Sequence, residues 1–465
     1  LSWDFEKFIR ELNFLGELFD KRIENISKDF DITNLIRPLN RDKARKTAKE
    51  IFGEGKYKVL GIDGSMDHRE RLEVVILYVA ISGFTSPIQV DSKGEINIDL
   101  DNVERDNKYV ASAIIPLWFE DINDILRQYS IGFERSLELI LSGIPFSIMT
   151  FGEFYMGYKA ISIDKEIKIV IYDRPFASSL HPFQRDLRRI IFREDGGFFK
   201  TFTYGGIRLL KADLLLGLYI GPNIYDIPFR GAYKIYSIIQ HIIREGGEAH
   251  LTEIERRFRI SREKFIKRLE KLDNEFLDNT LIEEITPSTI ILNRDIINYW
   301  DKIKKVIEIV GKNIFENPGG KHPLYFEKDD SWIGSKELNA ITLFTIYETI
   351  YQAIKNNKIA VGIGKDTYVT DLNRSVLPLT NNLGITNVDE PPIRSDKPLL
   401  TILSSITPER YPTPWRLTIY DGAFATLNKN DNKNIPLKAA RKVIFQEGII
   451  SRSYFQLRTF KTIGD

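Results

Sequence analysis

The chain has 465 residues, 43% apolar and 28% charged, with 30 Gly and 19 Pro, which excludes a fibrous or wholly disordered protein and allows about three units of roughly 150 residues. Lys and Arg number 66 against 65 Asp and Glu, a net +1, so only local clustering of charge can point to a nucleic-acid partner. There is no Cys and there are only five His, which excludes a disulfide scaffold, Cys-ligated zinc, an iron–sulfur cluster and a thiol nucleophile, and leaves little for a His-rich metal site.

Residues 1–55 read as an N-terminal helical arm. Phe5, Phe8, Ile9, Leu12, Leu15, Leu18 and Phe19 recur at helical spacing between charges. This opening is a charged amphipathic segment, not a signal peptide, and no apolar run reaches about 18 residues. The expectation is a soluble, cytoplasmic protein. Three Met and no Cys beside abundant Ile, Lys and Glu fit a thermophile.

Residues 56–225 read as the first part of an α/β core. The run 57–62 is a short apolar strand stopping at Asp63-Gly64, a turn signal. Residues 72–83 are β-branched and apolar, hence a buried strand, and 95–100 a third. A helix is predicted over 118–142. Residues 168–172 (KIVIY) form another buried strand ending at Asp173.

Residues 226–300 read as an inserted winged-helix-like α+β unit. Helices are predicted over 232–244, 251–258 and 261–272, the last with Ser261 as N-cap. A two-stranded wing follows at 280–284 and 289–293. From Arg256 to Lys271 eight basic residues face two acids, Glu263 and Glu270. Arg256, Arg257, Arg262, Lys264, Lys267 and Arg268 are therefore candidates for phosphate contact with DNA. A protein-binding module is the alternative. Residues 301–465 return to an α/β pattern as the second part of the core. A helix is expected over 338–355, strands at 359–362, 399–403, 415–420 and 454–458, and a helix at 437–445.

Asp63 and Asp173 end strands, and Glu134 and Glu138 share one face of the intervening predicted helix. Carboxylates beside apolar residues need a neutralising partner. Hard oxygen ligands suit Mg²⁺ or Mn²⁺, and two such ions assist phosphodiester hydrolysis by activating water and stabilising the leaving oxygen. Each residue alone also fits a plainer role: a turn for Asp63, a strand cap for Asp173, a salt bridge for Glu138.

The segments Val59–Ser65 (VLGIDGS), Arg135–Glu138 (RSLE), Ile169–Asp173 (IVIYD), Ile359–Asp366 (IAVGIGKD) and Arg394–Lys397 (RSDK) occur in this order. Together they resemble the motifs of the NurA nuclease family. The resemblance implies a ribonuclease-H-like mixed-sheet core and a Mn²⁺-dependent (or Mg²⁺-dependent) DNA nuclease. It implies single-strand endonuclease and 5′–3′ exonuclease action in archaeal recombination and double-strand-break processing. It also implies a homodimer working with a HerA-like hexameric ATPase. By the same carry-over Asp63, Glu138 and Asp173 hold metal, and Lys365 contacts phosphate or stabilises transition-state charge. The family's late Tyr-Pro is matched by Tyr411-Pro412, but no His follows it; Asp421 is the acidic residue available there. That departure keeps open a second reading, an inactive NurA-like adaptor between motor and DNA.

Overall fold

The computed structural model describes residues 5–29, 31–128, 136–193, 197–203, 206–227, 229, 233–316, 321–364, 370, 372–382, 384–387, 393, 395–406, 408–420 and 451–456. The chain divides into two compact units. One comprises Leu1–Lys43, Gly364–Arg441 and Gln446–Asp465, the other Ala44–Ile363 and Lys442–Phe445.

The chain begins with α1 (Phe5–Asp29) and the two-residue β1 (Arg37–Pro38), then α2 (Arg41–Phe52). The predicted helical spacing of α1 is present, and its Phe5, Phe8, Leu12, Leu15 and Leu18 are exposed. Helix does not run through to 55. The Asp31 carboxylate accepts the Thr33 N–H at 2.9 Å, a local turn that competes with helix. Pro38 then lacks the donor a helix interior needs. Asn40 restarts the helix by accepting the Lys43 N–H at 2.8 Å.

The larger unit is built on a sheet of long strands. β2 (Gly55–Arg71) and β3 (Val74–Val90) form an antiparallel hairpin, and β4 (Ile96–Ile98) and β5 (Glu104–Trp118) pair on the far side of β3. Then come α3 (Phe119–Gln128), α4 (Ser136–Ile163) and β6 (Ile167–Tyr172). β6 lies parallel to β2, and β12 (Ile359–Gly362) lies parallel to β6. The order is thus β5-β3-β2-β6-β12, an antiparallel meander extended by two parallel strands. This is a mixed α/β core consistent with the ribonuclease-H-like arrangement implied by the resemblance.

The pattern explains the layers. In β3 Val75, Leu77, Val79 and Ile81 alternate into the core, so one face is covered. The hairpin differs from expectation at Asp63-Gly64, which is not a turn. Asp63 pairs with Ser82 and Gly64 with Ile81, and β2 runs 17 residues. Continuous pairing with the β-branched β3 outweighs the local turn preference of Asp-Gly. The reversal comes instead at Leu72-Glu73, with Leu72 at φ 50°. Within the predicted helix over 118–142 the described residues are helical from Phe119 to Gln128 (α3) and from Ser136 (α4), and α4 continues to Ile163; residues 129–135 lie outside the described residues.

Next come α5 (Phe176–Arg193), α6 (Gly197–Thr201) and α7 (Lys211–Tyr219). They lead to α8 (Lys234–Arg244), β7 (Glu248–His250), α9 (Leu251–Phe258), α10 (Arg262–Phe276), β8 (Ile282–Ile285) and β9 (Thr289–Leu292). In place of the two predicted strands there are three, in the order β7-β9-β8. The extra strand is short enough to have no sequence period of its own. Ser261 occupies the N-cap position of α10, but its side chain makes no capping bond.

Then α11 (Tyr299–Gly311), the small hairpin β10 (Tyr325–Phe326) and β11 (Ser331–Trp332), and α12 (Ser335–Lys355) complete the unit. α12 is buried along most of its length and packs on α4, α5 and α11. Several of its polar residues find partners within the core. Thr342, Thr345 and Thr349 donate to carbonyls one turn back at 2.7, 2.8 and 2.7 Å. Glu348 accepts the Trp300 indole N–H at 2.6 Å.

In the smaller unit, α13 (Leu377–Asn382), α14 (Asp396–Ile406), β13 (Trp415–Tyr420) and β14 (Ser451–Gln456) follow. The predicted strand at 399–403 is part of α14. Pro398 lies in its first turn, where a missing N–H costs nothing. Asp396 is buried and accepts the Leu372 and Asn373 N–H groups at 2.9 and 3.1 Å and the Tyr454 hydroxyl at 3.0 Å. The helix predicted at 437–445 lies outside the described residues.

One buried ion pair ties the helical layer together: Asp213 of α7 with Lys302 of α11. Burial pushes the Asp213 carboxyl up to about 6, and Lys302 opposes that rise. Because the folded value lies above the unfolded one, this group favours folding below about pH 4, and the benefit disappears as pH rises through about 6. Lys302→Met leaves the carboxylate alone and should cost about 3–5 kcal/mol at pH 8. The loss relative to the parent should shrink at pH 5, where the carboxyl is protonated. Paired denaturant titrations at the two pH values test this; an equal loss at both would reject it.

Candidate active site

The parallel pairing of β2 and β6 decides where the two predicted aspartates go. Gly61 pairs with Ile171 and Ile62 with Tyr172, the last rung of this ladder, so Asp63 and Asp173 are the residues that follow it on each strand at the same end. Adjacent strands lie about 4.8 Å apart, a gap one cation can bridge between two carboxylates. Tyr172 is fully buried against Phe154 and Phe176, ring centroids 5.0 and 5.3 Å away, which anchors the strand end before Asp173. β12 supports the turn that follows. The Ile363 N–H donates to the Tyr172 carbonyl at 2.9 Å. A Cβ at Gly362 would run into the Arg174 carbonyl, so only glycine fits there.

Strand alternation separates the side chains of β2. Asp63, Ser65 and Asp67 are exposed and leave the sheet on its uncovered face. A shallow hollow lies there, lined by Ser65, Asp67, Tyr78, Ala80, Ser112 and Ile114. Register accounts for it: Ser65 pairs with Ala80 and Ala80 with Ser112, Asp67 with Tyr78 and Tyr78 with Ile114. The Asp63 carboxylate accepts the Gly64 N–H at 2.9 Å.

Gly64 faces α4 instead. An added Cβ would sit 2.6 Å from Glu153 Oε1 and 2.7 Å from Met149 Cγ, so the missing side chain lets the helix lie close to β2. Glu153 is 2% exposed. Its carboxylate accepts hydrogen bonds from the Arg174 Nε–H and, at 3.3 Å, from Nη2–H. The same guanidinium stacks over Phe146 at 4.8 Å. Burial pushes the Glu153 carboxyl up, Arg174 partly opposes this, and the negative charges of Asp63 and Asp173 add to the rise. The three carboxylates therefore share one electrostatic neighbourhood.

Glu153 and Arg174 are the site residues that sequence reasoning misses. Glu153 lies in the stretch of α4 beyond the predicted helix end. An acid inside the apolar run 144–161 is the available signal. Glu138 lies in α4, but its side chain is outside the described residues; Glu134, Lys365 and Asp421 also lie outside them. Of the predicted DNA-contacting residues, Arg256, Arg257, Lys264, Lys267 and Arg268 are exposed and Arg262 is half-buried. All six belong to α9 and α10, not to the sheet end.

The donors at the sheet end are all carboxylate oxygens, which suit a hard divalent cation. Among the described residues no three His, Asp or Glu converge as a ligand cluster. Glu153 is engaged by Arg174, and alternation sends Asp63 to the opposite face. The acids that follow the last β2–β6 rung are Asp63 and Asp173, donors of the type such an ion takes. Mg²⁺-type ions are commonly held this way, by one or two carboxylates with water and phosphate filling the remaining positions. No described helix is long and apolar enough to cross a membrane.

No protein-family profile and no curated protein matches the chain. Among solved structures, the chain is similar to a crystal structure of NurA with manganese. That match has 14% identity and a TM-score of 0.32 over 97% of this chain and 85% of that one. A structure of NurA bound to dAMP and manganese is similar at 13% identity and a TM-score of 0.33, over 98% and 85%. A further NurA structure is similar at 14% and 0.29, over 88% and 75%. The similarity to NurA thus spans nearly the full chain at low identity.

Removing the guanidinium alone should be costly. Arg174→Leu leaves Glu153 buried without a counterion, an expected loss of about 3–5 kcal/mol. Adding Glu153→Met should restore most of it, since an apolar pair of similar volume often replaces a buried ion pair without loss. Denaturant midpoints of parent, single and double variants test this; a single variant as stable as the parent would contradict the reading.

Proposed function

We propose that this chain is a divalent-cation-dependent phosphodiesterase acting on DNA. The observation that carries the proposal is that Asp63 and Asp173 each follow the last paired residues of two parallel strands, with a buried acid, Glu153, whose proton affinity both of them raise. A pair of this kind gathers negative charge that a cation and an anionic phosphate complete together. Asp63 and Asp173 would hold Mn²⁺ or Mg²⁺. When bound, such an ion lowers the pKa of water and neutralises charge on the phosphoryl oxygens.

The rest is done by this chain's own residues. The Glu153–Arg174 pair fixes the peptide that follows Asp173, so it sets that carboxylate's orientation. Tyr172 and Gly362 hold the same turn from below. The open hollow beside Asp63 offers hydroxyls at Ser65 and Ser112 and an aromatic face at Tyr78, a surface suited to a sugar or base of the bound strand. In the fuller reading that the sequence resemblance supports, Lys365 adds a phosphate contact. The protein then acts as a homodimer on DNA ends and single strands alongside a HerA-like hexameric ATPase.

One observation favours a second reading, a catalytically silent adaptor. Glu153 is closed by Arg174, and among the described residues no group of three His, Asp or Glu is placed to hold a cation. Labelled single-stranded and duplex DNA incubated with Mn²⁺, with and without EDTA, separates the two. The nuclease cleaves only with free metal. Asp63→Asn and Asp173→Asn should each slow cleavage at least about 100-fold without lowering the unfolding midpoint. DNA binding with no cleavage under any divalent cation would establish the adaptor.

A further inference from the structure

The basic surface of the inserted unit is distinct from the sheet end and has its own geometry. α8, β7, α9, α10, β8 and β9 follow the helix–strand–helix–helix–strand–strand order of a winged helix, with α10 in the position of the helix that enters a DNA groove. On α10 the buried residues are Phe265, Leu269 and Asp273. Lys264, Lys267, Arg268 and Lys271 are all exposed and fall at i, i+3, i+4 and i+7, a stripe opposite that core.

Three nearby acids, Glu255, Glu253 and Asp273, are occupied elsewhere. Glu255 accepts the Arg262 N–H at 2.8 Å. Glu253 faces His241 at 3.3 Å. The Asp273 carboxylate accepts the Leu281 and Ile282 N–H groups at 2.9 and 3.0 Å, tying α10 to β8. Only Lys271 of the stripe has an acidic partner among the described residues, Glu275 at 3.8 Å, in an exposed pair of little worth. Lys264, Lys267 and Arg268 form no ion pair there, and Glu263 and Glu270 lie together to one side of the stripe. The exposed Arg256 of α9 adds positive charge from the preceding helix.

We propose that this stripe holds the phosphate backbone of duplex DNA without regard to sequence, as a docking surface separate from the carboxylate site. Lysines contact phosphates as point charges, and phosphate contacts carry no base information. The wing takes no part in this, because Glu283 and Glu284 of β8 are exposed and repel phosphate. The proposal rests on the DNA reading above and deepens it, but it does not need cleavage.

The test uses the full chain in EDTA, so binding is read without hydrolysis. Fluorescence anisotropy with a labelled duplex is measured across a salt series for the parent, for Lys264→Gln/Lys267→Gln/Arg268→Gln, and for the corresponding triple Glu variant. Circular dichroism confirms that each is folded; the neutral Gln set serves if the Glu set is not. We expect duplex affinity to fall at least about tenfold and the slope of log K against log salt to flatten by about 2 to 3. A second duplex of unrelated sequence should bind the parent equally. Because binding is read in EDTA, the outcome does not depend on whether the carboxylate site cleaves, which separates this surface from the catalytic reading. Unchanged affinity and slope in the Gln variant would overturn the proposal and leave the stripe to a protein partner. Strong preference for one duplex sequence would also overturn it.

Discussion

The parallel pairing of β2 with β6 governs the candidate site. Each strand contributes one acid where their shared ladder stops, and neither acid has local structure that would bring it to the other. Asp63 lies in the middle of a 17-residue strand, and Asp173 follows a six-residue one. The register brings both to the same end of the ladder, directly after the Ile62–Tyr172 pair. Shifting β6 by one residue would separate them and turn the buried Tyr172 to the other face, so the anchoring of Tyr172 under Phe154 and Phe176 also protects the site.

Around that pair the molecule handles charge in two ways. Buried acids are given cations or several donors: Glu153 takes Arg174, Asp213 takes Lys302, and Asp396 takes two backbone N–H groups and a tyrosine hydroxyl. Such pairs are poor sources of net stability, but breaking them is expensive, so they hold geometry. The exposed Asp63 and Asp67 on the open sheet face each accept only the next residue's N–H among the described residues and otherwise face solvent. Glu153 lies between the two regimes. It is as buried as a structural acid, yet its proton affinity responds to Asp63 and Asp173.

A neutral chain with a locally basic helix follows the same logic at larger scale. The net charge of +1 hides a face of α10 whose Lys264, Lys267 and Arg268 have no acidic partner among the described residues. Glu253, Glu255 and Asp273 are drawn into backbone and helix-to-helix contacts, and Glu263 and Glu270 lie to one side, so the stripe itself stays cationic on the solvent side. Attraction for a polyanion can arise this way without raising the total charge.

Much of the architecture is legible in periodicity. The strand at 168–172, the helix at 251–258 and the strand at 359–362 can be read nearly to the residue, because long apolar or alternating runs leave few alternatives. Asp63 and Asp173 are legible as acids that close apolar strand runs. What escapes is whatever depends on a distant partner. Asp63-Gly64 reads as a turn because β3, whose residues follow Asp63 by eleven to twenty-seven positions, is invisible to local preference. The segment 399–403 reads as a strand because its apolar and β-branched letters fit either period. Glu153 escapes notice because helix α4 outruns its own amphipathic signal, and its meaning comes from an arginine 21 residues away. Local composition is enough to say which segments are apolar, which acids close them and where basic residues concentrate, since these are properties of neighbouring residues. The register that ends at Ile62–Tyr172, the face to which Asp63 turns and the arginine that closes Glu153 come only with the assembled fold, because hydrogen bonds and packing between segments far apart in the chain set them.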